Sequence, residues 1–294
     1  MILVVGATGV LGSEICLMLA KGGETVRALV RKTSAPGRTE TLTAAGIELF
    51  VGDLKDPASL IDACKGVDAI ISTASSTFSR QEGDSIETVD GSGQLNLVDA
   101  AEAAGVRRFI FVSLPHPEGL SSPLGDAKLR VEEAIKRFNF TVIQASYFME
   151  WFLTPALGFD YANGSARIYG SGNSPASLVS VKDVAKICVL AVSHPSAERR
   201  VIEFGGPEAL TPLQVIEKFE ELSGKAFRVG NVPEAEILAQ YETATDSMQK
   251  TFAALMLGYA RGRAIDMKAV QEEFGLTLTS VDEYAREVTG SSLF

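Results

Sequence analysis

Apolar runs and amphipathic stretches alternate through the first half of the chain. Ile2–Val5, Thr25–Val30, Ile47–Val51, Ala69–Ser72, Arg108–Val112 and Phe140–Ala145 read as strands. The first of them, Ile2-Leu3-Val4-Val5, has no polar alternation at all, which predicts a strand covered on both faces. Between the strands, Gly12–Lys21, Pro57–Cys64, Ser92–Ala104 and Pro123–Arg137 carry helical spacing, and Gly22-Gly23, Gly66 and Gly105 stand where helices stop. Strand and helix in strict alternation predict an α/β fold class, a doubly wound parallel sheet with helices on both faces. Ligands then gather at the carboxyl ends of the strands.

From about residue 150 the pattern loosens into the turns of Gly170-Ser171-Gly172-Asn173-Ser174-Pro175. A helix at Lys182–Ser193, a strand at Arg200–Phe204 and a helix from Thr211-Pro212 to Gly224 follow. Two domains are expected, residues 1–150 and a smaller, interleaved α/β domain at 151–294 on the substrate side. A segment at about 180–205 is expected to return to the first sheet, through Val201-Ile202-Glu203-Phe204.

Chemistry enters at the first strand's end. Gly6-Ala7-Thr8-Gly9-Val10-Leu11-Gly12 places three glycines three apart between that strand and a helix. Glycine lets the backbone turn sharply and approach a ligand closely, and the first helical N–H groups then point at an anion. A dinucleotide pyrophosphate suits this Rossmann-type loop, so Gly6, Thr8, Gly9, Val10, Leu11 and Gly12 are candidate cofactor residues. Arg31-Lys32 follow the second strand, Arg31 lying 22 positions after Gly9. A free ribose 2′-hydroxyl calls for a carboxylate there, whereas two cations suit a 2′-phosphate and hence NADP(H). Arg38 is a further candidate cation. Asp53 and Leu54 close the third strand, Asp53 as acceptor for the adenine amino group, while Asp56 before Pro57 reads as a helix N-cap. Thr73 and Ala74, after the fourth strand, are small enough to run beside a ribose.

Together, residues 6–12, Val30-Arg31-Lys32, Gly52-Asp53-Leu54, Val112-Ser113 and Ser180-Val181-Lys182-Asp183-Val184-Ala185 resemble the NmrA-like, atypical branch of the short-chain dehydrogenase/reductases over about residues 1 to 225. The resemblance implies NADPH-dependent quinone or isoflavone-type reductases, and also regulators that bind the dinucleotide without turning it over. Typical members of the superfamily use Ser, Tyr and a Lys four residues after the Tyr. Ser113 and Lys128 match, but position 124 is Leu, and none of the six tyrosines has Lys four residues later. Lys128 falls within the stripe Leu124, Ala127, Val131 and Ile135, where lysine is uncommon without a partner. The resemblance implies that this partner is the nicotinamide ribose; the alternative is a stem covering apolar surface with its ammonium in water. His116, just past the fifth strand, is a candidate proton donor. Tyr147 and Phe148, followed by Trp151, are expected beside the nicotinamide as aromatic walls.

With 37 acidic and 27 basic residues the net charge is −10, which argues against a nucleic-acid or anionic-membrane partner. Cys16, Cys64 and Cys188 are scattered and read as buried thiols; with two histidines, no metal site is expected. No leader or membrane span is legible, so a cytoplasmic location is expected. Glu132-Glu133, Glu220-Glu221 and Glu272-Glu273 read as solvated faces, and His194 as a helix end. The expected function is reduction of a small, apolar, electron-poor acceptor such as a quinone by direct hydride transfer from NADPH. The alternative is a non-catalytic NADP(H) sensor of the NmrA type, which would act on a protein partner.

Overall fold

The computed structural model describes residues 1–77 and 81–290. The strands are β1 (Ile2–Val5), β2 (Val26–Val30), β3 (Glu48–Val51), β4 (Ala69–Ser72), β5 (Arg108–Ser113), β6 (Asn139–Ala145), β7 (Phe159–Asp160), β8 (Ser165–Tyr169), β9 (Arg200–Phe204) and β10 (Arg228–Val232). The helices are α1 (Val10–Lys21), α2 (Pro36–Ala44), α3 (Pro57–Ala63), α4 (Ser92–Ala103), α5 (Pro123–Ala134), α6 (Met149–Phe152), α7 (Val181–Leu190), α8 (Pro212–Ser223), α9 (Glu234–Thr243), α10 (Ser247–Arg261), α11 (Lys268–Phe274) and α12 (Val281–Thr289). A π-helical turn, Ile86–Gly91, runs directly into α4.

Seven strands form one sheet in the order β3-β2-β1-β4-β5-β6-β9, with parallel pairing from β3 through β6. The fold class is thus the α/β, Rossmann-like one. Strand order reverses between β1 and β4, and every residue of β1 is buried between two partners, which is why its sequence carries no alternation. The crevice at such a reversal is where ligands bind open α/β sheets.

The chain divides into two compact units. The first comprises Met1–Leu114, Pro123–Gln144 and Val184–Ile202; the second comprises Pro115–Ser122, Ala145–Asp183 and Glu203–Phe294. The first unit's core joins Leu3, Val5, Ile70, Phe109 and Phe111 of the sheet to Leu97 and Val131 of its helices. Arg108 is buried at the amino end of β5, where it donates to the carbonyls of Ala191 (2.9 Å) and Asn139 (2.8 Å) and to Thr141 Oγ1. The second unit has a core built on Phe159, Ile168, Phe219 and Tyr284, and a sheet in the order β10-β8-β7.

Local signals explain most element ends. Asp56 caps α3 through Ala58 N–H and Ser59 N–H, and α8 starts in a capping box of Thr211 with Gln214 and stops at Gly224 in the left-handed region. The side chain of His194 accepts from Ser196 N–H, capping the following short turn, while its N–H donates to the carbonyl of Leu190, the last residue of α7, at 2.9 Å. α2, β7, β8 and everything from β10 to α12 lie outside the elements expected from sequence, although α12 carries a legible start in the capping box of Ser280 with Glu283 and a stop at Gly290. No helix among the described residues is long and apolar enough to cross a membrane.

Candidate functional site

The turn after β1 is closed by contact between glycines. Gly6 has φ +85°, and Gly9 N–H bonds to its carbonyl at 2.9 Å. A Cβ on Gly12 would stand 2.1 Å from Gly6 O, and one on Gly6 would stand 2.7 Å from Thr73 Oγ1 and 2.8 Å from Ala74 N. The β4–α4 loop therefore rests directly on the glycine turn, and Thr73 N–H reinforces this by donating to Val5 O at 2.9 Å. α1 starts at Val10 with Gly9 as N-cap and no side-chain cap. Gly9 and Val10 are exposed and Thr8 is half-buried, whereas Leu11 and Gly12 are buried. α1 thus begins at an exposed end without a side-chain cap, which is the positive end of its helix dipole.

At the end of β2 the structure adds a group that the sequence does not announce. Arg31 Nη1 pairs at 2.6 Å with Asp84, whose side chain is 2% exposed, and Lys55 pairs with the other oxygen of the same carboxylate. Asp53 accepts Lys55 N–H at 2.9 Å and lies 3.8 Å from its ammonium. Two cations thus meet two carboxylates, while Lys32 and Arg38 are exposed and carry no ion pair among the described residues. Leu54 is buried, its carbonyl taking Asn96 Nδ2 at 3.1 Å.

Lys128 is 7% exposed, so its ammonium is not in water. It donates to Val112 O at 3.0 Å and stands 4.8 Å above the ring of Phe111. Burial pushes its pKa below the usual lysine value, opposed by the charges of Asp90 and Glu132. Glu132 corrects the expectation of a solvated face. It is 6% exposed and accepts from the hydroxyl of Ser113 and from Gln144 Nε2 at 3.1 Å. The reason is helical spacing, because Glu132 lies four residues after Lys128 and shares its face, while Glu133 turns to solvent. Ser113 is buried and gives its hydroxyl proton to Glu132, and Leu124 is buried. Asp90 and Gln94 were also missed. Gln94 accepts from Ser72 Oγ at 2.8 Å and donates to Ala74 O at 3.0 Å, fixing the loop that touches Gly6. The spacing Ile86, Val89, Asp90, Gly93, Leu97 would have revealed Asp90 on an inward face had the helical segment been started earlier.

In the second unit, Tyr147 sits in an aromatic cluster, 4.9 Å from Phe152 and 5.1 Å from Tyr259 between ring centroids, and burial pushes its phenol up to about 12. Phe148 and Trp151 are half-buried and meet edge to face at 4.4 Å. Glu150 accepts Val181 N–H at 2.9 Å and Ser180 Oγ at 3.1 Å, and burial raises its pKa. His116 is half-buried. Cys16, Cys64 and Cys188 are buried, with Cys16 pushed up to about 12 and Cys64 to about 11 by desolvation. Among the described residues no group of three or more His, Cys, Asp or Glu is placed to hold a metal.

The photosystem II assembly factor Ycf39 of Synechocystis sp. is 32% identical over 304 residues, covering 98% of this chain and 90% of that protein. The isoflavone reductase homolog IRL of Zea mays is 31% identical over 317 residues, 96% of each. The crystal structure of the NADPH-dependent quinone oxidoreductase QOR2 from Escherichia coli, complexed with NADPH, matches with a TM-score of 0.79 at 24% identity, over 98% of this chain and 100% of that one. That likeness is one of fold. The NmrA-like family itself matches residues 1–285, well beyond the segment whose motifs carry the resemblance. With its glycine turn, sheet order and nearly full-length match, this chain belongs to the NmrA-like family.

Proposed function

We propose that this protein binds NADP(H) and is a reductase for a small, flat, electron-poor acceptor such as a quinone. The carrying observation is the buried Lys128 ammonium at the carboxyl end of β5, with N–H groups to spare, on the sheet edge that also holds the glycine turn. The turn fits a pyrophosphate: Gly6, Gly9 and Gly12 carry no side chain themselves, and the helix start behind them has no side-chain cap. In this reading residues Thr8 to Gly12 bind the pyrophosphate, Arg31 and Lys32 the 2′-phosphate, Asp53 and Leu54 the adenine, and Thr73 and Ala74 the adjoining ribose. Lys128 holds the nicotinamide ribose hydroxyls, and Ser113 acts through Glu132. Tyr147 and Phe148 are assigned to the nicotinamide, and His116 to proton supply for an acceptor that requires a donor other than water.

NADPH, when bound, supplies a hydride. The acceptor class follows from what the chain lacks, because Leu124 stands where a tyrosine proton donor is usual. A quinone reduced to a stabilised hydroquinone anion takes its proton from water and needs no such donor. The relatives described as quinone and isoflavone reductases support this reading. The purified protein is to be assayed with NADPH and a panel of quinones, enones and diazo dyes, following reduced-nicotinamide absorbance. Turnover above a Lys128→Ala control supports the reductase; NADPH binding without turnover overturns it.

That second outcome would favour an NADP(H)-binding regulator with a protein partner. Two observations favour it, the buried Leu124 and the commitment of the Ser113 hydroxyl to Glu132. The relative described as a photosystem II assembly factor supports it too.

A further inference from the structure

Asp90 is 1% exposed, yet only one of its carboxylate oxygens is accounted for. Oδ2 accepts from Ser76 N–H at 2.9 Å and from the Ser76 hydroxyl at 2.6 Å. Oδ1 is fully enclosed and has no hydrogen-bond partner. A buried acceptor left unmade is costly and calls for an explanation. The π-helical turn that carries it packs on α5, the helix of Lys128. Such turns concentrate at functional sites. Lys128 presents the complementary imbalance, since one of its three N–H donors reaches Val112 O and its charge otherwise lies over the Phe111 ring.

We propose that Asp90 is the positioning counter-ion of Lys128 in the free protein. This rests on the reading that Lys128 serves the cofactor, and it gives the buried lysine a charge that favours its protonated form. The electrostatics agree, because Asp90 is the first of the charges opposing the desolvation of Lys128. The second is Glu132 on the same helix, already occupied by Ser113 and Gln144. Of the other charged groups on the packed elements, Asp126 is exposed and Glu133 pairs with Lys136 on the solvent side. Arg130 pairs with Glu87, and Arg137 pairs with Asp99 and Glu102, all on exposed faces. Arg108 of β5 is bonded at that strand's opposite end.

The test is a titration of the protein without cofactor, labelled with ε-13C-lysine, the Lys128 resonance being identified by its loss in Lys128→Met. Asp90→Asn is expected to lower the Lys128 midpoint by about one to three pH units. Ser76→Ala, which removes a hydrogen bond but no charge, leaves it in place. Asp90→Ser, which removes the same charge, is expected to lower the Lys128 midpoint likewise, and this variant decides the matter should Asp90→Asn not fold. An unmoved midpoint in Asp90→Asn, or an equal shift in Ser76→Ala, overturns the proposal. Since no NADPH is present, the result is independent of whether the cofactor reading holds.

Discussion

Gly12→Ala sets two effects of opposite sign against each other. Gly12 is the third residue of α1, and helix propensity alone favours alanine there by about 1 kcal/mol. Packing opposes it. The added Cβ would stand 2.1 Å from Gly6 O and 2.7 Å from Gly6 C, where ordinary contact begins at 3.4 Å. Gly6 cannot retreat, because it has φ +85°, lies against Thr73 and Ala74, and accepts the Gly9 N–H. Relief must come from moving α1, which loosens the buried Leu11, Ile15 and Leu19. Forcing a methyl into such a contact costs about 3 kcal/mol, at the upper end of overpacking because the obstacle is backbone. The net loss is then about 2 kcal/mol, a fall in Tm of about 4–8 °C. Gly9→Ala is the internal control, since that position is exposed and its Cβ would meet only Gly6 O, at 3.2 Å. Its expected cost is about 0.5 kcal/mol, from alanine's poorer fit at an N-cap. Thermal unfolding followed by circular dichroism compares the two. A Gly12→Ala protein as stable as the parent would show that propensity wins and that the close approach is not enforced.

Four further outcomes are expected. Arg31→Ala should weaken NADPH binding about 10- to 100-fold, the worth of charge-assisted bonds to a phosphate, and leave NADH almost untouched in fluorescence titrations; equal losses would refute the 2′-phosphate role. Glu132→Ala leaves Ser113 and Gln144 without their buried acceptor and should cost about 3 kcal/mol in urea unfolding, whereas Glu132→Gln should cost less than half of that. Arg108→Met orphans the Ala191 and Asn139 carbonyls and should cost about 2–5 kcal/mol by the same measurement. Glu150 has a raised pKa, so the folded state binds its proton more tightly than the unfolded chain does. Its stability contribution is full below the unfolded value and is lost as pH rises through the folded one, and Glu150→Gln should flatten that decline in Tm measured from pH 4.5 upward. An unchanged slope would refute it.

How much was legible follows from where the determining forces lie. β1 and β4 run over the very residues that the apolar runs mark, because both their faces are buried in the sheet, whereas β9, at the sheet's end, alternates buried and exposed positions. Gly6 and Gly12 declare their turn because only a missing Cβ permits the contacts observed. Lys128 could be placed on an inward face by counting around a helix, and Glu132 yields to the same count although its charge argues for solvent. Family membership was readable from the short motifs that build these features. Other features arise between segments distant in sequence, and no local pattern encodes them. Asp84 reaches Arg31 across 53 positions, and Arg108 meets Ala191 across 83. Asp90 closes on Ser76 through a π-helical turn that starts before the periodic part of α4. The sequence by itself determined the strands and most helices of the first sheet, the glycine turn at the carboxyl end of β1 and the inward lysine of α5, since these depend on side-chain size and period. Only the tertiary structure decided which charges are paired, which are left over and which are sealed from water, because electrostatic partners are chosen by proximity in space.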